Sequence, residues 1–103
     1  MKEIRLLPDV LDDIQEAAQW YDERGSAELG DRFLSIFFSY LPRIERNSEA
    51  FPIVYRHFRR VLLKPFPYCL YYTNHDDWAV ISLVIHAARS PRLWKKVLRE
   101  RKP

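Results

Sequence analysis

Residues Phe51–Tyr72 read FPIVYRHFRRVLLKPFPYCLYY, and this stretch decides the fold class. Its first part, Ile53–Lys64, is rich in β-branched and aromatic residues with arginines set between them, which suits a strand with one wet face. Pro65 and Pro67 then bracket Phe66. Proline cannot donate to a sheet ladder, so a turn or an edge bulge is predicted there. Tyr68–Thr73 (YCLYYT) is a second strand. Asn74–Asp77 (NHDD) supplies turn chemistry, and Trp78–Ile85 is a third, nearly all apolar strand. Three strands joined by short turns are antiparallel neighbours.

The residues before this block follow a different period. Lys2–Leu7 alternates enough for one short strand. Pro8 suits a first helical position, where its missing N–H costs nothing. Val10, Leu11, Ile14, Ala17, Ala18 and Tyr21 recur at helical spacing, with Asp12, Asp13, Gln15, Glu16 and Gln19 on the opposite face. Gly25 is expected to stop this helix in the left-handed conformation, and Ser26 to cap the next. The second helix carries the stripe Leu29, Phe33, Ile36, Phe37, Tyr40, Leu41 and Ile44. Pro42 within it predicts a kink, or an early end and a restart. The two helices form an αα-hairpin. After the strands, Pro91–Arg101 (PRLWKKVLRER) reads as a short basic helix with Leu93, Trp94, Val97 and Leu98 inward. The expected fold is α+β in the order β-α-α-β-β-β-α, with the helical hairpin on one face of a mainly antiparallel sheet.

Bulk properties agree. A chain of 103 residues is expected to be one domain, residues 1–103, hiding roughly two-thirds of its unfolded surface. Hydrophobic residues make up 48% and charged residues 30%, as in a soluble globule. Cys69 is the single cysteine, which excludes an internal disulfide and multi-cysteine zinc sites and suits a reducing compartment. The start, MKEIRLLPD, has no long apolar stretch. No secretory signal and no membrane span are therefore expected, and the localisation read from this is cytoplasmic.

The net charge of +3 is unevenly placed. Residues 1–52 hold 6 Lys/Arg against 11 Asp/Glu, and residues 53–103 hold 11 against 3. A basic sheet and tail suggest an acidic partner, either nucleic acid or an acidic protein segment. The plainer alternative is a solvated face. Tyr55, Phe58, Phe66, Tyr68, Tyr71 and Tyr72 are candidates to stack on bases, although packing against the helices accounts for most of them.

One further segment, Val84–Trp94 (VIHAARSPRLW), places His86 and Arg89 where the last strand leaves the core. Histidine is the side chain that ordinarily changes charge near neutral pH, so His86 is a candidate general base; a lone histidine at a strand end otherwise bonds neighbouring backbone. Arg89 is a candidate for bidentate anion contact, or for a tie between the tail and an acidic helix residue. Arg59 and Arg60 must point to opposite faces if both lie in a strand. Cys69, between Tyr68 and Leu70, reads as a buried thiol rather than a nucleophile. His57, His75 and His86 lack metal-ligand spacing, so neither metal nor cofactor is expected.

The stretches DIQEAAQWYDERG, LGDRFL, FPIVYRHFRRVLLKPFPYCLYY and VIHAARSPRLW, in this order, resemble the RelE/ParE superfamily of bacterial toxins from type II toxin-antitoxin modules. The closest resemblance is to its ParE-like, plasmid stabilisation branch, and it covers about residues 3–96. It implies a cytoplasmic growth inhibitor neutralised by a cognate antitoxin protein. ParE-type members that have been studied poison DNA gyrase; RelE-type members cut messenger RNA on the ribosome.

RNase members place an arginine where this chain has Cys69, which counts against an enzyme here. They also carry basic residues on the preceding strand, which Arg59, Arg60 and Lys64 match in part, and an arginine matching Arg89. Their late tyrosine or histidine has no clear counterpart. The resemblance thus favours a non-enzymatic inhibitor that binds through Arg59, Arg60, Arg89, Arg92, Lys95 and Lys96. The alternatives are a ribosome-dependent endoribonuclease using Arg60, Lys64, His86 and Arg89, and a degenerate, non-toxic protein that only binds an antitoxin.

Overall fold

In a computed structural model that describes residues 1–101, the chain forms a five-stranded sheet with helices on both faces. The elements are β1 (Glu3–Leu6), α1 (Pro8–Arg24), α2 (Leu29–Arg46), β2 (Ile53–Tyr55), β3 (Phe58–Leu62), β4 (Tyr68–Asn74), β5 (Trp78–His86) and α3 (Pro91–Glu100). The sheet order is β1-β5-β4-β3-β2. Only β1 runs parallel to its neighbour, pairing Glu3 with Trp78 and Leu6 with Ile81. The other contacts are antiparallel, so the expected α+β class and mainly antiparallel sheet hold.

The block that decides the fold is built as expected, with one refinement. The run Ile53–Lys64 is a hairpin rather than one strand. Tyr55 pairs with Phe58 across a two-residue turn, Arg56–His57. Arg56 sits at φ 52, in the left-handed region where glycine or asparagine is usual. Without either residue the turn carries no sequence signal. The Pro65-Phe66-Pro67 turn throws the Phe66 ring under the helices. There it meets Tyr21 at 4.9 Å and Phe33 at 5.2 Å, both edge-on. Edge-to-face pairs at this distance are favourable beyond their area burial.

The helical hairpin covers one face of the sheet. Val10, Ile14, Phe33, Phe37 and Ile44 pack there on Val61, Leu70, Tyr72 and Val84. Leu11 departs from the predicted stripe and is 49% exposed. Asp13 departs the other way and is half-buried. Gly25 is not left-handed, with φ −120. Its role is space: a Cβ there would lie 2.7 Å from Leu29 Cδ2. Ser26 does not cap α2 with its side chain. The helix begins at Leu29, whose N–H bonds the Ser26 carbonyl at 3.0 Å. Gly30 lets α2 approach α1 so closely that a Cβ would overlap the Ala18 carbonyl and the Asp22 carboxylate. The Gly30 N–H donates to Asp22 Oδ1 at 2.9 Å. The helix α2 runs through Pro42 without ending and restarting.

The opposite face is covered by α3 alone. Trp94 and Leu98 close over Cys69, Tyr71 and Leu83. Tyr71 and Trp94 stack with ring centres 4.8 Å apart. The basic helix is thereby fixed on the same face as Val54, Tyr55 and Phe58.

Candidate binding surface

The segment after β5 resolves into a helix start. Ser90 Oγ accepts the Leu93 N–H at 3.3 Å, and Pro91 opens α3. A serine cap followed by proline satisfies the first turn and sets its dihedral. His86 pairs with Tyr68 across the sheet and packs edge-on against its ring at 5.2 Å. Its Nδ1 accepts the Ala88 N–H at 3.0 Å. An accepting Nδ1 assigns the proton of the neutral ring to Nε2. The strand-end histidine therefore does bond neighbouring backbone. The Arg89 side chain is exposed, and together with His86, Glu16, Trp20 and Tyr68 it lines a cavity of about 290 Å³ between α1, β5 and α3.

The tie between tail and acidic helix exists, but Arg101 makes it rather than Arg89. Its guanidinium grips Asp13 in a fork, at 2.6 Å to Oδ2 and 2.9 Å to Oδ1. Asp13 Oδ2 also accepts the Val84 N–H at 3.1 Å, and Arg101 donates to the Ser82 carbonyl at 3.1 Å. Hydrogen bonding to Asp13 raises the guanidinium pKa further above its usual value. One carboxylate thus joins α1, β5 and the end of α3.

The paired arginines of β3 have separate tasks. Arg59 lies opposite Tyr72 and donates to the carbonyls of Glu49 and Phe51, at 3.0 and 2.7 Å. It pins the loop before β2 and contributes to structure more than to any surface. Tyr72 assists by donating to the Ser48 carbonyl at 2.6 Å; burial pushes its phenol up to about 12. Arg60 lies opposite Tyr71 on the other face and is exposed. Cys69 is buried, and burial raises its thiol pKa against the opposing Arg60 charge.

The four residues considered for RNA cleavage fall into two groups. Arg60 and Lys64 line a cavity of about 390 Å³ beside Tyr40 and Phe51. His86 and Arg89 line the cavity against α1. Among the described residues, none of Arg60, Arg89, Arg92, Lys95 and Lys96 forms a salt bridge. Arg92 and Lys96 are exposed, while Lys95 is half-buried beside Trp94, 5.5 Å from its ring centre.

Sequence reasoning missed Tyr55, Arg56 and Arg99 as a group. The Tyr55 hydroxyl accepts from Arg99 Nη1 at 3.2 Å. Arg56 lies 5.2 Å and Lys95 5.4 Å from its ring centre. That hydrogen bond, with the nearby Arg56, Arg99 and Lys95 charges, lowers the phenol pKa. The available signal was Lys95 and Arg99 one turn apart on α3. Their convergence on Tyr55 needed the hairpin turn, which sequence did not reveal. Of the aromatics considered for stacking, Phe66, Tyr71 and Tyr72 are buried in packing, whereas Tyr55 and Phe58 remain half-exposed.

No protein-family model matches the chain. Two curated relatives do, each named Toxin ParE2, from two strains of Mycobacterium tuberculosis. Each is 29% identical over 91 residues, covering 87% of this chain and 86% of the relative.

Proposed function

Taking the chain as a ParE-like toxin of a toxin-antitoxin module, the family its relatives and its fold support, we propose that it arrests bacterial growth by binding DNA gyrase and that a cognate antitoxin neutralises it. The reading rests mainly on one observation. Among the described residues Arg60, Arg89, Arg92 and Lys96 stand exposed and without an acidic partner, as does half-buried Lys95, while the residues a nuclease would need line two separate cavities. Catalysis of phosphodiester cleavage needs a base, an acid and charge stabilisation around one phosphate. Binding needs only a complementary surface. Arg60, Arg89, Arg92, Lys95 and Lys96 supply the attraction, and the Asp13–Arg101 clamp holds α3 in place. Arg59 contributes through the loop it fixes.

Cys69 supports the same reading. Its side chain lies in the core under Trp94 and Leu98, where a cleavage arginine would have to be buried without a partner. No described helix is long and apolar enough to cross a membrane, which is compatible with action in the cytoplasm.

The test is expression of the chain alone and together with the small gene next to it. The proposal expects growth arrest with relaxed plasmid DNA and intact messages, relieved by the neighbour, with a stable complex on pull-down. Cleaved translated messages with unchanged supercoiling would favour the ribosome-dependent nuclease. No arrest, with a complex still formed, would favour a non-toxic antitoxin-binding protein.

A further inference from the structure

We propose that the Tyr55 face, formed by the β2–β3 turn and α3, binds single-stranded nucleic acid. This goes beyond the gyrase reading, and its test uses no gyrase. Three cations surround the ring, Arg56 from the turn and Lys95 and Arg99 from α3, and Arg92 extends their face of α3 by a further turn. Among the described residues, none of them pairs with an acid within 4.0 Å. A cluster of like charges destabilises the free protein. It is offset when a polyanion arrives and releases its counterions. Arg92, Lys95 and Arg99 follow the i, i+3, i+7 spacing of one helix face and run about 10 Å along it. Charges spread in this way match a backbone of successive phosphates better than one compact anion.

The rings select further. Tyr55 and Phe58 lie nearly parallel, 10° apart with centres separated by 6.3 Å, and both are half-exposed. Aromatic faces among cations serve bases and phosphates together. The Tyr55 oxygen accepts from Arg99, so its own proton is available to a phosphate oxygen. The lowered phenol pKa fits this cationic setting. A cavity of about 470 Å³ adjoins the Phe58 ring, bordered by Arg56, Leu98 and Arg99. Arg56 holds φ 52, a setting ordinarily given to glycine, so the turn keeps a charge where the backbone disfavours a side chain. An acidic peptide would meet the charges but leave the ring faces unused.

Fluorescence anisotropy of labelled oligo(dT) and oligo(U) with the purified full chain tests this, against inorganic polyphosphate and polyglutamate as competitors. The oligonucleotides should bind more tightly than either competitor. Four phosphate contacts predict roughly 50-fold weakening between about 50 and 200 mM salt. Tyr55→Ala should weaken oligonucleotide binding by roughly 5- to 100-fold and polyphosphate binding far less, while Tyr55→Phe keeps most of the oligonucleotide affinity. Should Tyr55→Ala fail to fold by circular dichroism, the exposed pair Arg56→Gln and Arg99→Gln carries the test, lowering the logarithmic salt slope by about 1.4. No anisotropy change at low salt, unchanged binding in the folded variants, or polyglutamate binding as tightly as oligo(dT) would each overturn the proposal.

Discussion

Replacing Asp13 by asparagine tests whether one carboxylate holds the basic helix in place. The carboxylate accepts two guanidinium bonds from Arg101 and one from the Val84 N–H. The Asp13 side chain is 12% exposed and that of Arg101 18%. Breaking a fully buried pair costs about 3–5 kcal/mol, and exposed pairs contribute about 0–1 kcal/mol. This pair lies nearer the buried limit, and asparagine keeps an acceptor for Val84. A loss of about 2–3 kcal/mol follows, or a fall in Tm of about 10–20 °C for a chain of this size.

Urea unfolding followed by tryptophan fluorescence measures it, because Trp94 belongs to the clamped helix and is buried against Tyr71 of the sheet. A double-mutant cycle with Arg101→Gln should return a coupling of at least about 1 kcal/mol. Amide exchange at Val84 should also accelerate. If Asp13→Asn stays within about 0.5 kcal/mol of the wild type, as an ordinary surface change would, the clamp does not hold α3.

Three further outcomes follow from the geometry. Arg59→Gln should cost about 1–2 kcal/mol in urea melts because it orphans two carbonyls, while Arg60→Gln next to it should be nearly neutral; equal effects would contradict their opposite placement. Cys69 should resist a thiol reagent near neutral pH until denaturant is added, since burial raises its thiol pKa and shields it, and rapid native labelling would refute this. In an ultraviolet titration, Tyr55 should ionise first and Tyr72 last, near 12. Because burial holds the folded Tyr72 pKa above its unfolded value, the stability it contributes is present below about pH 10 and lost as pH rises towards about 12; stability unchanged across that window would contradict the burial of this phenol.

Sequence made the layers legible where period and proline speak clearly. The α1 and α2 stripes, the inward Trp94 and Leu98 of α3, and the Phe66 turn all follow from spacing. The β2–β3 turn was hidden because Arg56 occupies a left-handed position without glycine or asparagine to announce it. Gly25 stops α1 where expected, its N–H bonding the Tyr21 carbonyl, but without the left-handed conformation, and Ser26 offers α2 its carbonyl rather than its side chain. The site was legible only as a bias in charge. Opposite faces for Arg59 and Arg60 followed from strand geometry. That Arg59 serves two carbonyls, and that Arg101 rather than Arg89 reaches Asp13, depends on partners 88 residues apart or on loop positions that no local pattern encodes.

The most direct measurement adds purified protein to a gyrase supercoiling reaction over a range of salt, alongside the double variant of two exposed cations, Arg89→Glu, Lys96→Glu. The account predicts inhibition by the wild type that weakens as salt rises, because exposed charges are screened over about 8 Å at physiological ionic strength. The double variant should inhibit far less, with its stability within about 0.5 kcal/mol per exposed change. Supercoiling left untouched even at low salt, in protein that still stops growth when expressed, would contradict the account.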